Sequence, residues 1–455
     1  MENIIEKEEL LSLLAEKKYP EIKRKLEDMN PHDCAALLSD LEPSVLTRVF
    51  RLISKENAAE TFVEMDSDIQ ELLIKSFSDA ELGGLTDELF LDDTVDIIEE
   101  MPVNVVKRIL RAASPETRGQ INELLKYPDD SAGSVMTTEY VELKADMLPS
   151  DAFRIIRETG TDKETIYTCY VTDGKKHLIG VVTVKDMLLS GEKPLGDIME
   201  TNVISANTLD DKEAVGKIFL DYGLMSLPVV DAENRLVGIV TYDDAMYVIS
   251  SEKEEDIQVM AAITPSEDRY LKTSVFSLFK ARIPWLLLLM VSATFTGMII
   301  SSFESALAVC TVLTAFIPML MDTGGNTGSQ SSVTVIRALS TNDITFRNIF
   351  RVQWKELRVS LLVGATLSVA NFIKLYLVDN LLLHTSGLTV QVMAAVCITL
   401  FAVVVAAKFI GCTLPLLAHR IGFDPAVMAS PFITTLVDAV SLLVYFRVAK
   451  LMLGI

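Results

Sequence analysis

Cysteine and histidine are scarce in this chain of 455 residues. Its five cysteines (Cys34, Cys169, Cys310, Cys397 and Cys412) are scattered and form no CxxC pair. That excludes a disulfide framework and a thiolate zinc site. The four histidines show no ligand spacing. Neither a GxxxxGKS/T loop nor an Asp-Lys-Thr-Gly motif occurs, so no familiar route to ATP hydrolysis exists and the chain reads as a non-enzyme. The opening MENIIEKEELL lacks the basic-then-apolar pattern of a signal peptide. Bases are short in one region only. The first 280 residues carry 56 acids against 30 bases, whereas the remainder carries 7 against 11. An acidic field of this kind repels phosphate and excludes a nucleic-acid partner, while it suits cations. Acidity that merely keeps a domain in solution has the same look.

What the second part has is apolar length. Five segments approach the roughly 20 residues that a membrane span needs. They are Pro284 to Ser302, Ser305 to about Ile336, Val359 to Val378, Val390 to Leu417, and Pro425 to about Leu451. Arg282, the group from Arg337 to Arg358, and Arg420 mark the cytoplasmic sides by the positive-inside rule. The expected topology is multi-pass in the cell membrane, with the amino-terminal half cytoplasmic and the carboxyl terminus outside. Arg447 and Lys450 fit that topology less well and would have to snorkel.

The second segment runs into PMLMDTGGNTGSQSS, Pro318 to Ser332. Adjacent glycines undo helices, so the chain is expected to unwind here and to offer backbone near Gly325 and Asn326 to an ion or substrate. A phosphate cradle is excluded, since no strand precedes it and no Lys-Ser/Thr follows. Pro318, Pro415, Pro425 and Pro431 are expected to add further breaks on the same side. Asp438, within PFITTLVDAVSLLVYF, is a carboxylate inside the last span, which costs about 2.5–3.5 kcal/mol. It either faces a pathway or pairs with Lys374 or Lys408. Asp322 and Asp424 fall near the cytoplasmic mouth.

The acidic part divides in two. Up to about residue 130, AALLSDL, AETFVEM and VDIIEEM repeat an apolar pattern, which predicts stacked short helices. LDDTVDIIEE places Asp92, Asp93, Asp96, Glu99 and Glu100 on adjacent turns. They form either a solvated helix start or a divalent-ion site. From about 131 to 250 the chain repeats itself, with Gly180 and Gly238, and Asp186 and Asp244, at matching places. Each copy reads strand, turn, strand, helix, and resembles a cystathionine-β-synthase (CBS) domain. That resemblance implies an adenine-nucleotide site, possible for ATP, using Thr183 with Asp186 and Thr241 with Asp244. Beyond the repeat, an acidic run of Glu252, Glu254, Glu255 and Asp256 precedes Thr264-Pro265-Ser266-Glu267. The latter reads as a capping box that starts an amphipathic helix ending at Arg282.

The order of these parts, with PMLMDTGGNTGSQSS, IRAL, the FES at Phe303 to Ser305, and FDPAVMASPFITTLVD, resembles the MgtE family of bacterial magnesium transporters over essentially the whole chain. The resemblance implies a multidomain α+β membrane protein. It would have an all-α superhelical domain (1–130), tandem α/β CBS domains (131–250, divided near 195), a connecting plug helix (251–282) and a five-helix transmembrane domain (283–455). It implies a homodimeric Mg2+ channel in the lipid bilayer, without an obligatory protein partner, closed by cytoplasmic Mg2+. The pore carboxylate falls on Asp438 and the mouth acid on Asp424, with backbone near Thr434 lining the ion site. The sensor acids fall on Asp92, Asp96, Asp211, Glu213, Asp244, Glu252, Glu255 and Asp256. Gly223 and Tyr247 stand where the family often has further acids, which implies fewer or weaker sensor ions. Transport of cobalt, manganese or nickel, or a membrane-anchored nucleotide sensor, are the rival readings. Oxygen-only candidate ligands favour a hard cation.

Overall fold

The computed structural model describes residues 5–266, 270–271 and 273–454. The chain forms two compact units, Met1–Ser250 and Ser251–Ile455.

In the first unit, ten helices of eight to ten residues run from Lys7 to Leu124. Local chemistry starts them. Asn30 accepts the His32 N–H at 3.0 Å ahead of a first-turn Pro31, and Ser114 accepts the Thr117 N–H at 3.1 Å ahead of Pro115. Ser78 and Glu81 cap each other's backbone. The third helix packs on the fifth, the fifth on the seventh and the seventh on the ninth. This is the stacked arrangement that the apolar repeat predicts.

The internal repeat is reproduced bond for bond. Strands β1 (Glu142–Leu143), β2 (Thr168–Thr172) and β3 (Leu178–Thr183) form one sheet, and β4 (Ala206–Asn207), β5 (Ser226–Val230) and β6 (Leu236–Thr241) the other. In each, the first pair is parallel and the second antiparallel, with a register shift at Val171/Thr172 and again at Val229/Val230. The paired glycines have a shared cause. A Cβ on Gly180 would lie 2.5 Å from Met199 Sδ, and one on Gly238 would lie 2.7 Å from Met136 Sδ. The segments that carry these methionines are exchanged. Thr137, ahead of the first copy, bonds to Ile239 in β6, and Glu200, ahead of the second, bonds to Val181 in β3. The second copy also shares its core with the helical region, through Val215, Phe219, Leu227 and Val240.

In the second unit, four helical stretches are long and apolar enough to cross a membrane. They lie at Val275–Ser302, Phe346–Leu382, Val390–Arg420 and Pro425–Leu453. The helix Val390–Arg420 is the most buried of them and packs against Ile317–Ser340, Ile349–Lys374 and Ser430–Leu453. Val275–Ser302 buries no residue within the chain, so its apolar surface needs lipid or another protein.

Three expectations are corrected here. The glycine-rich stretch does not unwind: Ile317–Ser340 is one continuous α-helix. The break comes earlier, where the helix Glu304–Val309 gives way to a 3₁₀ turn, Thr311–Phe316. Glycine costs a helix about 1 kcal/mol per residue relative to alanine, but here close packing offsets that cost. A Cβ would lie 2.7 Å from Val403 Cγ1 at Gly324, 2.7 Å from Thr434 Cγ2 at Gly325 and 2.9 Å from Ile433 Cγ2 at Gly328. Only small residues let helices approach this closely. The neighbouring hydroxyls turn inward too, Thr327 to the Thr323 carbonyl at 2.6 Å and Ser332 to the Met428 carbonyl at 2.6 Å.

The prolines break less than expected. Pro415 sits inside the helix Val390–Arg420, while Pro318 and Pro431 occupy first turns, where a missing N–H costs nothing.

The connector also differs. The repeat's last helix continues as Tyr242–Met260, and the next begins at Val275, capped by Ser274, and runs unbroken through Arg282 and Pro284 into the first span. Thr264 does not start a helix; its N–H donates to the Ala281 carbonyl at 2.9 Å. Glu267 of the expected capping box lies outside the described residues.

Candidate cation sites

The last helix, Ser430–Leu453, carries Asp438 half-buried in the second unit. The lysines that sequence offered as its partners are engaged elsewhere. Lys374 Nζ lies 2.8 Å from Asp379. Lys408, itself buried, donates to Ser331 Oγ at 3.1 Å and lies 3.4 Å from Glu356 Oε2. Ser331 Oγ also donates to Glu356 at 2.6 Å, which closes the triad. Asp438 Oδ1 is buried without a hydrogen-bond partner among the described residues. The paired reading of Asp438 is therefore overturned. A carboxylate oxygen in low dielectric with no partner among the described residues is a candidate site for a cation.

The other expected pore residues fall as follows. Thr434 sits one turn before Asp438, its methyl against Gly325. Gly325 thus serves close packing rather than offering free backbone. Asn326 donates to Asp322 Oδ1 at 3.1 Å. Asp424 is exposed and caps the 3₁₀ turn Pro425–Met428 by accepting the Ala426 N–H at 2.8 Å.

The first unit gathers a different site. Asp92, 8% exposed at the start of the helix Leu91–Glu100, has carboxylate oxygens of Glu139 and Glu164 as neighbours, all within 4.8 Å of one another. Glu139 is held there by the Leu91 N–H, donated to its Oε2 at 3.0 Å. Glu164 Oε2 is buried without a hydrogen-bond partner among the described residues. Burial and then the charges of Asp244, Glu164 and Asp93 raise the Asp92 carboxyl well above its ordinary range. Asp93 is raised to about 7, by burial and then by Asp244 and Asp243. Glu164 is raised to about 8, by burial and then by Asp244 and Asp93. Asp244 is raised by burial, against a hydrogen bond from Thr241. Opposite oxygens around magnesium lie about 4.2 Å apart, twice its 2.1 Å bond length. Three oxygens within 4.8 Å therefore fit one hard divalent ion, directly or through its waters.

Sequence reasoning placed Asp92, Asp93, Asp96 and Asp244 among the candidate cation ligands but missed Glu139 and Glu164. Asp96 is exposed on the same helix. Asp211 and Glu213 go elsewhere: Asp211 caps the helix Lys212–Tyr222, and Glu213 pairs with Lys217 at 2.8 Å. Glu252, Glu255 and Asp256 ride on Tyr242–Met260, whose first turn carries Asp244.

In the CBS pair, Thr183 and Asp186 cap the helix Val184–Leu189, and Thr241 bonds Asp244 in the matching place. An open cavity of about 520 Å³ is lined by Thr183, Lys185, Tyr167 and the apolar Leu188, Leu189 and Met225, among others.

Family models match the same parts. Residues 317–448 match the MgtE divalent cation transporter model, 29–130 the MgtE intracellular N domain, and 132–191 and 195–251 the CBS domain. A magnesium transporter MgtE of Thermus thermophilus is 35% identical over 433 residues, covering 94% of both chains. The chain belongs to the MgtE family. The MgtE of Bacillus subtilis is 30% identical over 441 residues, covering 97% of this chain and 96% of that one. Among solved structures, the cytosolic domain of the Mg2+ channel MgtE in complex with ATP is 33% identical, with a TM-score of 0.50. It covers 53% of this chain and 98% of that one. Membership accounts for the pairing of a helical acidic domain and a CBS pair with apolar helices, and makes this a membrane protein.

Proposed function

We propose that the chain imports Mg2+ down its electrochemical gradient as a homodimeric channel of the cell membrane, with its amino terminus cytoplasmic and its carboxyl terminus outside. The observation that carries the reading is Asp438, a half-buried carboxylate in an apolar helix whose Oδ1 is buried with no hydrogen-bond partner among the described residues. A two-fold axis would bring two such carboxylates together, and their charge of −2 matches the cation. Magnesium parts reluctantly with its water, so the pair holds the hydrated ion through its shell. A membrane potential drives each charge inward with about 2.3 kcal/mol per 100 mV, so no catalytic step is needed.

Cytoplasmic Mg2+ closes the channel from the first unit. Without a cation, Asp92, Asp93, Glu139, Glu164 and Asp244 repel one another. An ion held among them relieves that repulsion and favours the state that gathers them. The helix Tyr242–Met260 is continuous, with Asp244 in its first turn and Glu252, Glu255 and Asp256 in its later turns, so it suits a transmitter. An adenine nucleotide, ATP among them, is proposed for the CBS pair at Thr183 with Asp186 and Thr241 with Asp244, beside the open cavity.

The decisive experiment is Mg2+ flux into proteoliposomes, parent against Asp438→Ala, repeated with Co2+, Mn2+ and Ni2+. Flux lost in the variant and strongest for Mg2+ in the parent is the expected result. Equal flux in parent and variant removes Asp438 from the path, and stronger flux of another ion changes the substrate.

A further inference from the structure

One turn beyond Asp438 stands a second polar group for which nothing accounts. Ser441 is 1% exposed, and its Oγ has no hydrogen-bond partner among the described residues. Serine hydroxyls inside membrane helices ordinarily turn back on a carbonyl of the preceding turn. Thr327, Thr334, Thr366, Thr399 and Thr435 all do so here. Ser441 does not. Its Oγ points instead at the glycine helix, where a Cβ on Gly324 would lie 2.8 Å away. Thr434, Asp438 and Ser441 recur at four- and three-residue steps and so share one face of the last helix. Thr434 and Ser441 both abut the glycine stripe, at Gly325 and Gly324. Buried polar groups are nearly always paired, and two orphans on adjacent turns of one face point to a common polar occupant.

We propose that Ser441 is a further residue of the ion path, its hydroxyl meeting the water shell of the divalent cation on the outer side of Asp438. The hydroxyl lies about 4.5 Å further along the helix axis, at 1.5 Å per residue. A hydroxyl can both donate and accept, so it serves a hydrated ion without adding charge. A side chain at Gly324 would collide with Ser441 Oγ, so glycine there leaves the hydroxyl its place. The inference rests on the reading of Asp438 as the carboxylate that holds the ion.

The test is Ser441→Cys in full-length protein in proteoliposomes, with Mg2+ flux measured as Cd2+ is added. A thiolate one turn from a carboxylate makes a soft-ligand site for Cd2+, so half-block should fall about tenfold or more below the parent. Excess Mg2+ should protect against the block. The parent keeps its five native cysteines and so supplies the background. An active Ser441→Cys variant as insensitive to Cd2+ as the parent overturns the inference. If that variant carries no flux, Ser441→Ala decides: half-saturating Mg2+ should rise about threefold or more, for a lost contact near 0.7 kcal/mol. Half-saturation and maximal flux like the parent's overturn it instead. Loss of flux in Asp438→Ala alongside either negative result leaves the Asp438 reading standing and removes Ser441 alone.

Discussion

Around Asp92 the described residues bring several carboxylates together, whereas Asp438 is one carboxylate in an apolar helix, with Lys374 and Lys408 paired to Asp379 and Glu356. In the first unit, Asp92, Glu139 and Glu164 crowd within 4.8 Å, and Asp244 adds its field. The charge is a sum, and losing one member leaves a weaker site of the same kind. In the second unit the proposed path rests on one carboxylate, Asp438, whose Oδ1 has no hydrogen-bond partner among the described residues, while Lys374 and Lys408 pair with other acids. A graded sensor can be built by addition. A site for one passing ion in low dielectric depends on what each neighbouring cation is already bound to.

The strongest way to break the comparison is at Asp438 itself. Asp438→Asn keeps the shape and removes the charge. Flux should drop at least about 100-fold, the effect of roughly 3 kcal/mol lost along the path. An Asn variant with parental flux would show that charge there is incidental.

Next is the neutralising pair. Glu356→Gln leaves the Lys408 ammonium buried and unpaired, which typically costs about 3–5 kcal/mol. The detergent-purified variant should melt well below the parent, and Glu356→Gln with Lys408→Met should recover much of the loss. If the single variant keeps the parental melting temperature, the triad of Lys408, Ser331 and Glu356 is not what stabilises the buried lysine.

Smaller effects belong to the additive site. Asp92→Asn or Glu164→Gln removes one of three oxygens' charge. Each should weaken Mg2+-dependent thermal stabilisation by about tenfold in half-effective concentration, near 1.4 kcal/mol, while raising the melting temperature in a chelator. Parental behaviour in both variants would leave the cluster a passive acidic surface.

The smallest expected effect is with pH. Asp93 and Glu164 titrate at about 7 and 8 in the folded chain, against roughly 4 when unfolded. The folded state therefore binds more protons across that window, and stability falls as pH rises from about 4 to 8. In a chelator the melting temperature should climb as pH is lowered from 8 to 6, and saturating Mg2+ should flatten the dependence. A flat profile without metal would mean the carboxyls are not held together.

The sequence made some of this legible and hid the rest for physical reasons. The repeat is legible because each copy needs glycine under a methionine at the same place. Asp438 is legible because charge inside an apolar run is costly wherever it points. The glycine stretch misled because composition cannot separate a glycine that frees the backbone from one that admits a neighbour. Only Val403, Thr434 and Ile433, far along the chain, decide that. Glu139 and Glu164 were missed because each is a lone acid in a loop. A signal existed, since by the motif alignment they stand opposite Asn202 and Tyr222 in the second copy. An acid at only one of two matching positions serves something that the repeat does not. Glu356 stayed hidden among Arg351, Lys355 and Arg358, where it reads as one more surface charge.

The exchanged segments at Thr137 and Glu200 have a consequence for biosynthesis. The edge of β3 stays open on the nascent chain until Glu200 has been made, and β6 closes its edge with a strand made about a hundred residues earlier. The first sheet is closed once Glu200 has been made, whereas the second needs Thr137 from before the first copy. A stop between residues 191 and 195 would leave the β3 edge open rather than an intact half, and open edges are where chains aggregate.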